Sequence, residues 1–599
     1  MRWPPEVELR PAAAGDDGRA VRLETADGRV LWDARALAEL SPGAWAHAVR
    51  SWDGAAMLAD ALWQIGLWLG PVLAIVGRAF HGDSLVRPSL VRTRSLALRV
   101  IGLATVAAAV SWWVQVDGLV GSGGIAPAAE WLEQVKSYAA RHDASAFTLA
   151  PTWLWLGASD AALHLTCGLA TLGGALLALG VVPGLGAALA LLAYLSLVAT
   201  GDVFMGYQWD GLMLEGLTVA LLLAPWSRLT LGRAKDLEPS RVAVMLCRVV
   251  AFKLYFMSGV VKLASHDPVW ADLTALDFHL WTQPLPSPSS FWLLDAPGWV
   301  LSALCAFTLA TELVLPWALL LPSALRRVRV MATWLMLGLQ VGIAATGNFG
   351  YFNLLSFGIL AMGLDDRAFE GWRRTQAWRP PVPLTAEARR PWWERWRAWL
   401  ALPRTALALV LVLVNLYEVR ATWLEAEPPP LVAGVESALA PFRIANTYGL
   451  FANMTTERPE IELQGSDDGL HWRTYDFAWK PDGEDDAPGF AGPHMPRLDW
   501  QLWFAALSGD CFGRRVAWYQ HFLERVLQGA PEVLALIGRN PFPDAPPQYL
   551  RSLLWEYAPA APGKPGWWQR SEPRTFCPDV TWRNGRLQKV HFGPPEPDG

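Results

Sequence analysis

Nine runs of apolar residues dominate the middle of the chain, at 96–116, 160–180, 185–203, 209–226, 242–264, 299–322, 328–346, 349–364 and 404–424. A helix needs ~20 such residues to pass the hydrocarbon core of a bilayer, so each run predicts a crossing. The fourth and eighth are short, and the eighth has the length of a re-entrant segment. Dropping both would break the inside–outside alternation of their neighbours, which is the reason to keep them. An interrupted apolar stretch at 57–80, ending in Arg78, reads instead as a helix lying in the interface. Residues 1–56 carry "VRLETADGRVLWDARALAEL", a strand, an Asp-Gly turn, a second strand and a helical pattern. In the loop 365–403, "WWERWRAW" places Trp and Arg at helical spacing and predicts a second interfacial helix before the last crossing.

After the stiff "EAEPPP" linker the period changes. "RPEIELQGSDDGLHWRTYDFAWKP" alternates apolar and polar positions around Asp-Asp-Gly, a hairpin signal. "MPRLDWQLWFAALSG" and "WYQHFLERVLQG" are helical, whereas "QYLRSLLWEYAPA" and "DVTWRNGRLQKVHF" return to strands, the latter around Asn584-Gly585. The predicted fold is therefore a multi-pass α-helical membrane protein of about nine crossings with a C-terminal mixed α/β domain rich in β-strands. Its divisions are a small cytosolic segment at 1–56, an interfacial helix and basic linker at 57–95, a helical bundle at 96–424 and a soluble domain at 430–599. Of the loops, 117–152 holds a Gly-rich turn and a helix start with Pro127 in its first turn, and 265–298 ends in an irregular Pro/Ser-rich segment.

Charge gives these elements a direction. Basic residues fill every second gap: Arg87, Arg92, Arg94 and Arg99; Arg228, Arg233, Lys235 and Arg241; Arg326, Arg327 and Arg329; and nine between Arg367 and Arg404. The alternate gaps, 117–152, 201–209, 265–298 and 346–350, hold only Lys136 and Arg141. Positive charge stays on the cytoplasmic side. The alternation therefore predicts a cytoplasmic N-terminus and an extracytoplasmic C-terminal domain, periplasmic if the Ala/Arg/Trp/Gly-rich composition marks a high-GC bacterium. The first 50 residues show no cleavable signal peptide, so an internal segment is expected to start insertion.

Composition agrees with that class. Of 599 residues, 53% are hydrophobic and only 18% charged, against ~25% in a typical soluble protein. The 35 tryptophans include Trp112, Trp113, Trp153, Trp155, Trp209, Trp226, Trp281, Trp299 and Trp423 at segment ends, where indole rings favour the headgroup level. The arginines lie beside membrane segments and point to anionic headgroups rather than nucleic acid. The bilayer is thus the first predicted partner, and no nucleic acid is expected. Cys167, Cys247 and Cys305 lie in apolar runs and read as small core residues. Cys511 and Cys577 share the tail, where an oxidising compartment would permit a disulfide, although their spacing defines no geometry.

Ionisable residues inside crossings are costly and often functional. Asp210 stands at the outer mouth of the fourth run, beside Trp209, with Glu215 ~7 Å deeper at ~1.5 Å per residue. Arg248, Lys253 and Lys262 share the fifth run; Glu312 sits mid-run before Pro316; His164 follows Asp160 by one helical turn. Two readings stand side by side. In one, these charges line an outward polar cavity with Lys262 as base or anion ligand opposite Glu215 or Asp210, making the three candidate catalytic residues. In the other, they pair with one another and hold the bundle together. Asn348, Tyr351 and Asn353 fall at a turn and read as helix caps. His266, Asp267, Asp272, Asp277 and His279 do not repeat at i, i+4, so they read as a solvated loop rather than a metal site. There is no G-x-S-x-G, no phosphate loop, no H-E-x-x-H and no CxxC. No cofactor or metal is expected.

Several strings resemble the lipase maturation factor family, in that family's order: "GSGGIAPAAEWL", "GYQWDGLMLEGL", "FKLYFMSGVVKL", "TGNFGYFNLLSFG", "ANTYGLFANMTTERPEIELQGSDDGLHW" and "HMPRLDWQLWFAAL". The resemblance runs from about residue 95 to the C-terminus. It implies a non-enzymatic membrane factor that helps secreted clients, lipases among them, to fold and assemble, as its endoplasmic-reticulum relatives do with their C-terminal region in the lumen. It also makes Arg497, Asp499, Trp500 and Trp503 candidates to face a client. More distantly, "YFMSGVVKL" is similar to the segment of vitamin K-dependent γ-carboxylases with two adjacent lysines, one the catalytic base. Val261 stands at the first position and Lys262 at the second, which implies an integral-membrane enzyme as the alternative. Residues 1–56 resemble the C-terminal part of a thioredoxin-like module without its catalytic cysteines.

Overall fold

The computed structural model describes residues 89–226, 238–322, 325–372, 392–424, 429–513, 516–561 and 563–590, with the backbone alone at 370–372 and 392–402. It also describes three short strands near the N-terminus: β1 Leu9–Pro11, β2 Val21–Glu24 and β3 Val30–Trp32. They pair antiparallel in the order β1-β2-β3, and the β2–β3 pair is the strand–turn–strand read from "VRLETADGRVLW". The helix expected after them and the interfacial helix expected at 57–80 lie outside the described residues.

The apolar runs form helices α1 (Val91–Trp113), α2 (Asp160–Leu179), α3 (Pro183–Thr200), α4 (Gln208–Leu223), α5 (Arg241–Ala264), α6 (Gly298–Leu313), α7 (Arg326–Thr346), α8 (Phe352–Leu360) and α9 (Trp392–Leu424). Among the described residues, seven helices are long and apolar enough to cross a membrane. The two left out are the short fourth and eighth runs: α4 has 16 residues, and α8 has 9 before a 3-10 turn continues it to Gly363. Two further readings change. "WWERWRAW" is the start of α9, which runs on through Pro403 as one helix. The loop 265–298 carries short helices at Pro268–Ala271, Ala275–Thr282 and Pro288–Leu294, the last opening on a proline that costs the first turn no hydrogen bond.

Helices α1, α2 and α3 pack closely because small residues meet at their seams. A Cβ on Gly102 would fall 2.3 Å from the backbone of Ala178, and one on Gly173 would fall 2.5 Å from that of Ala190. Such approaches bring many weak dispersion contacts into range, which is what holds helices together where lipid is as apolar as the side chains.

Arginine side chains gather at one end of the bundle. Arg404 at the start of the last crossing donates to the carbonyls of Leu222 and Ala224 at the end of α4 (2.8 and 3.2 Å). Arg248 donates to Met362 O (2.8 Å) and Arg329 to Gly363 O (3.1 Å), both just past α8. Asp366 caps the start of α1 through the N–H groups of Arg92 and Thr93. The far ends of α4 and α8 meet α1 and α3 at the opposite pole, described below. Both short helices therefore run from one pole of the bundle to the other.

The C-terminal region begins with α10 (Pro430–Leu439) and contains α11 (Arg497–Ala506) and α12 (Ala517–Leu527). Its sheet is antiparallel, in the order β5-β4-β6-β8-β9, with β7 also paired to β6. The strands are β4 (Arg458–Ser466), β5 (Trp472–Thr474), β6 (Tyr549–Pro559), β7 (Trp568–Arg570), β8 (Arg574–Arg583) and β9 (Arg586–Lys589). The two hairpins read from the sequence are present. β4 and β5 pair Ser466 with Trp472, and β8 and β9 pair Arg583 with Arg586 across Asn584 and Gly585, both at positive φ as a two-residue I′ turn requires. Cys511 and Cys577 are disulfide-bonded, tying the segment after α11 to β8.

Candidate functional site at the bundle mouth

At the pole away from the arginines, the first turn of α4 and the first turn of α11 meet. Asp210 is wholly buried and takes a two-pronged contact from Arg497, whose Nη1 lies 2.7 Å from Oδ2 and Nη2 2.8 Å from Oδ1. Such bidentate pairing satisfies charge and direction together. The hydroxyls of Tyr194 (α3) and Tyr351 also donate to Oδ1, at 2.8 and 2.5 Å, while Arg497 donates to Phe204 O at 2.7 Å. Trp112 and Tyr207 lie over the guanidinium at 5.5 and 5.3 Å, a cation–π arrangement. The backbone joins in. Gln115 Oε1 accepts from Arg497 N (2.8 Å), and Ser111 Oγ accepts from Met495 N (2.8 Å), so the end of α1 caps the entry to α11.

A second buried set lies on α4, α5 and α9. Lys253 donates to Glu215 (2.8 Å) and Glu418 (2.9 Å), and Glu215 accepts from the backbone N–H of Asn446 (2.5 Å). The third joins α5 to α6: Lys262 lies 2.8 Å from Glu312 and donates to the carbonyls of Ser258 (3.2 Å) and Leu450 (3.0 Å). Around it, Ser265 Oγ donates to Ala452 O (2.7 Å), Trp270 Nε1 to Phe451 O (3.1 Å), and Asp267 Oδ2 accepts from Met454 N (2.6 Å). The segment 446–454 is thus laid across the bundle mouth and held there by groups from α4 and from α5 and the loop after it.

Of the two readings of these charges, the contacts match the one in which they pair with one another, Lys253 with Glu215 and Lys262 with Glu312, and not the shared cavity. Lys262 does not face Glu215 or Asp210; each of the three has its own partner. Asn348, Tyr351 and Asn353 are bridges rather than caps. Asn348 donates to Gly489 O (2.8 Å) and accepts from Ala491 N (2.7 Å), Tyr351 joins the Asp210 set, and Asn353 donates to Gln340 Oε1 (2.9 Å). His164 accepts from Trp113 Nε1 (2.7 Å) and lies 3.0 Å from Asp117, while Asp160 takes the Ser122 N–H and hydroxyl instead. His279 is half-buried rather than part of a solvated loop. It stacks on Phe349 and meets Phe451 edge-on, and burial lowers its pKa to about 4. Among the described residues, no cluster of His, Cys, Asp and Glu could hold a metal.

The four residues expected to face a client are also placed differently. Arg497, Asp499, Trp500 and Trp503 are 1, 2, 3 and 7% exposed. Trp500 meets Trp209 and Tyr207 edge-on at 4.9 and 5.9 Å, and Trp503 Nε1 donates to Thr282 O (3.0 Å). Asp499 Oδ1 accepts from the N–H groups of Trp479 and Lys480, and burial raises its carboxyl to about 6 despite those bonds. An apolar helix with arginine at its start finds its burial against the bundle, so no face of it remains for a partner at these positions. Sequence reasoning also missed Arg458, fully buried in β4, whose guanidinium donates to Trp281 O (2.7 Å), Gln283 O (2.5 Å) and Pro284 O (3.0 Å). It missed Glu418 too, although a carboxylate inside the last apolar run was a readable signal.

A multi-helix membrane bundle with the charges at one pole locked to an appended sheet domain defines the class: a multi-pass membrane protein with a docked C-terminal domain. Comparison with known proteins gives the family. A family model described as the lipase maturation factor transmembrane domain matches residues 92–371, and one described as the lipase maturation factor C-terminal domain matches residues 444–578. Lipase maturation factor 2 of Gallus gallus is 30% identical over 82% of this chain and 81% of its own length. Lipase maturation factor 2 of Homo sapiens is 30% identical over 83 and 84%. Lipase maturation factor 1 of Mus musculus is 29% identical over 82 and 87%. The chain belongs to the lipase maturation factor family. No solved structure matches it significantly. The carboxylase-like alternative finds no support, and Lys262 is tied by Glu312 and two carbonyls rather than open to a substrate.

Proposed function

We propose that this protein is a membrane-anchored maturation factor whose C-terminal region, on the extracytoplasmic side, assists the folding or assembly of secreted clients, with lipases the first class to test. The observation that carries the reading is the engagement of the C-terminal region with the bundle through Asp210–Arg497 and Lys262–Leu450. A domain held on one pole of a membrane anchor acts on whatever passes that face. The arginine-poor gaps of the sequence fall at this pole, which favours the outside, and the paired cysteines suit an oxidising compartment. Family membership supports the activity, and the relatives' names are the ground for testing lipases first.

The test is deletion of the gene in its host. Secreted lipase activity should fall while lipase transcript stays level, and re-expression of the intact chain should restore it. Unchanged activity of lipases and of the remaining secreted enzymes would remove the maturation reading.

A further inference from the structure

We propose that α10 is a bilayer-interface helix whose partner is lipid at the boundary of headgroups and acyl chains. The helix Pro430–Leu439 reads PLVAGVESAL, with Glu436 its single charge, and none of its residues is buried by the rest of the protein. Ten residues are too few for a free helix in water; Leu439 packs against the core, but no side chain of the helix is fully buried and Leu431 stands out from the protein.

Its neighbours say what covers it. The last membrane-crossing helix ends at Leu424 and touches α10. Six residues span at most ~20 Å, so α10 starts close to the point where α9 leaves the membrane. At its other end the chain is pinned to the bundle mouth, where Asn446 bonds to Glu215 and to Gly211 O. Both ends thus lie at the level of the bundle's outer pole. The uncovered large apolar side chains between 423 and 442 are Trp423, Leu424, Leu431 and Phe442, with Leu431 81% exposed. They continue the lipid-facing stripe of α9, where Leu409, Leu413 and Leu416 are exposed as well. Exposed Arg420 and Arg443 bracket the band, as cations do that reach for phosphates from an apolar surface. Continuity with the membrane-facing surface commits the occupant to lipid rather than to a second copy or a client.

The test uses the full-length protein in phosphatidylcholine liposomes. Leu431→Cys and, as a reference, Leu470→Cys at the exposed β4–β5 turn are labelled with a small thiol-reactive fluorophore. Cys167, Cys247 and Cys305 are buried, and the unsubstituted protein measures their background. Lipids brominated high on the acyl chain should quench the label at 431 several-fold more than the label at 470. Equal quenching at the two positions overturns the proposal. So does oxidative crosslinking of Leu431→Cys into a dimer in place of quenching, or protection of position 431 only when a secreted client is added.

Discussion

Removing one half of the Asp210–Arg497 pair leaves a full charge in a place without water. Breaking a buried pair in this way costs about 3–5 kcal/mol, whereas an exposed pair costs about 1 or less. Asp210→Asn or Arg497→Met should therefore lower the thermal midpoint of the detergent-purified protein far more than Arg473→Ala, which breaks the exposed Arg473–Asp467 pair. Asp210→Leu combined with Arg497→Met should recover part of the loss, because neither charge is then stranded; equal midpoints for Arg497→Met and Arg473→Ala would contradict the assignment. Asp499 adds a pH dependence. Burial raises its carboxyl from 3.8 to about 6, so the unfolded chain gives up this proton first as pH rises. The stability associated with the group is full below pH ~4 and is lost as pH climbs through about 6, a change of roughly 3 kcal/mol. The stability of the parent relative to Asp499→Asn should accordingly fall between pH 4 and pH 6 and stay level above, read from unfolding midpoints across that range. At this scale the sequence identified most of the charged residues but not their partners. Asp210 and Arg497 stand 287 positions apart, and helical periodicity tells which side chains share a face without telling which helix that face meets.

Elements were more legible than pairings, because local period and turn chemistry act over a few residues. Both hairpins could be read from Asp-Asp-Gly and Asn-Gly, since those residues tolerate the positive φ that the turns impose. The burial of α11 could not, because an apolar helix looks the same whether it meets a client or its own bundle. The disulfide is the element-level constraint with the largest expected effect. It closes a loop with a sequence separation of 66, and the chain-entropy model assigns such a loop about 4 kcal/mol. Cys511→Ser with Cys577→Ser should expose the C-terminal region to limited proteolysis while Cys167→Ser, in the bundle, leaves that region resistant. Equal resistance of all variants would show that the sheet stands without its staple.

At the scale of the whole molecule, the arginine alternation makes a claim that the two short helices must carry. If α4 and α8 did not pass from pole to pole, the basic gaps at 226–241 and 365–403 would share a side with their arginine-poor neighbours. The geometry supports passage: α4 has Asp210 of its first turn beside Arg497 and ends on Arg404, and α8 follows Tyr351 at the mouth and leads to the carbonyls bound by Arg248 and Arg329. A helix of 16 residues is ~24 Å long, short of the ~30 Å hydrocarbon core, but α4 is buried along nearly its whole length and does not have to match the lipid itself. The consequence for function is a matter of sides. In spheroplasts of a bacterial host, a membrane-impermeant maleimide should label Leu470→Cys without lysis and Arg228→Cys only after lysis. Labelling of both before lysis would mean that α4 and α8 do not separate the sides as the charges require. Protection of Leu470→Cys until lysis would place the docked domain in the cytoplasm, where no secreted client passes after export, and the maturation proposal would fall with the topology.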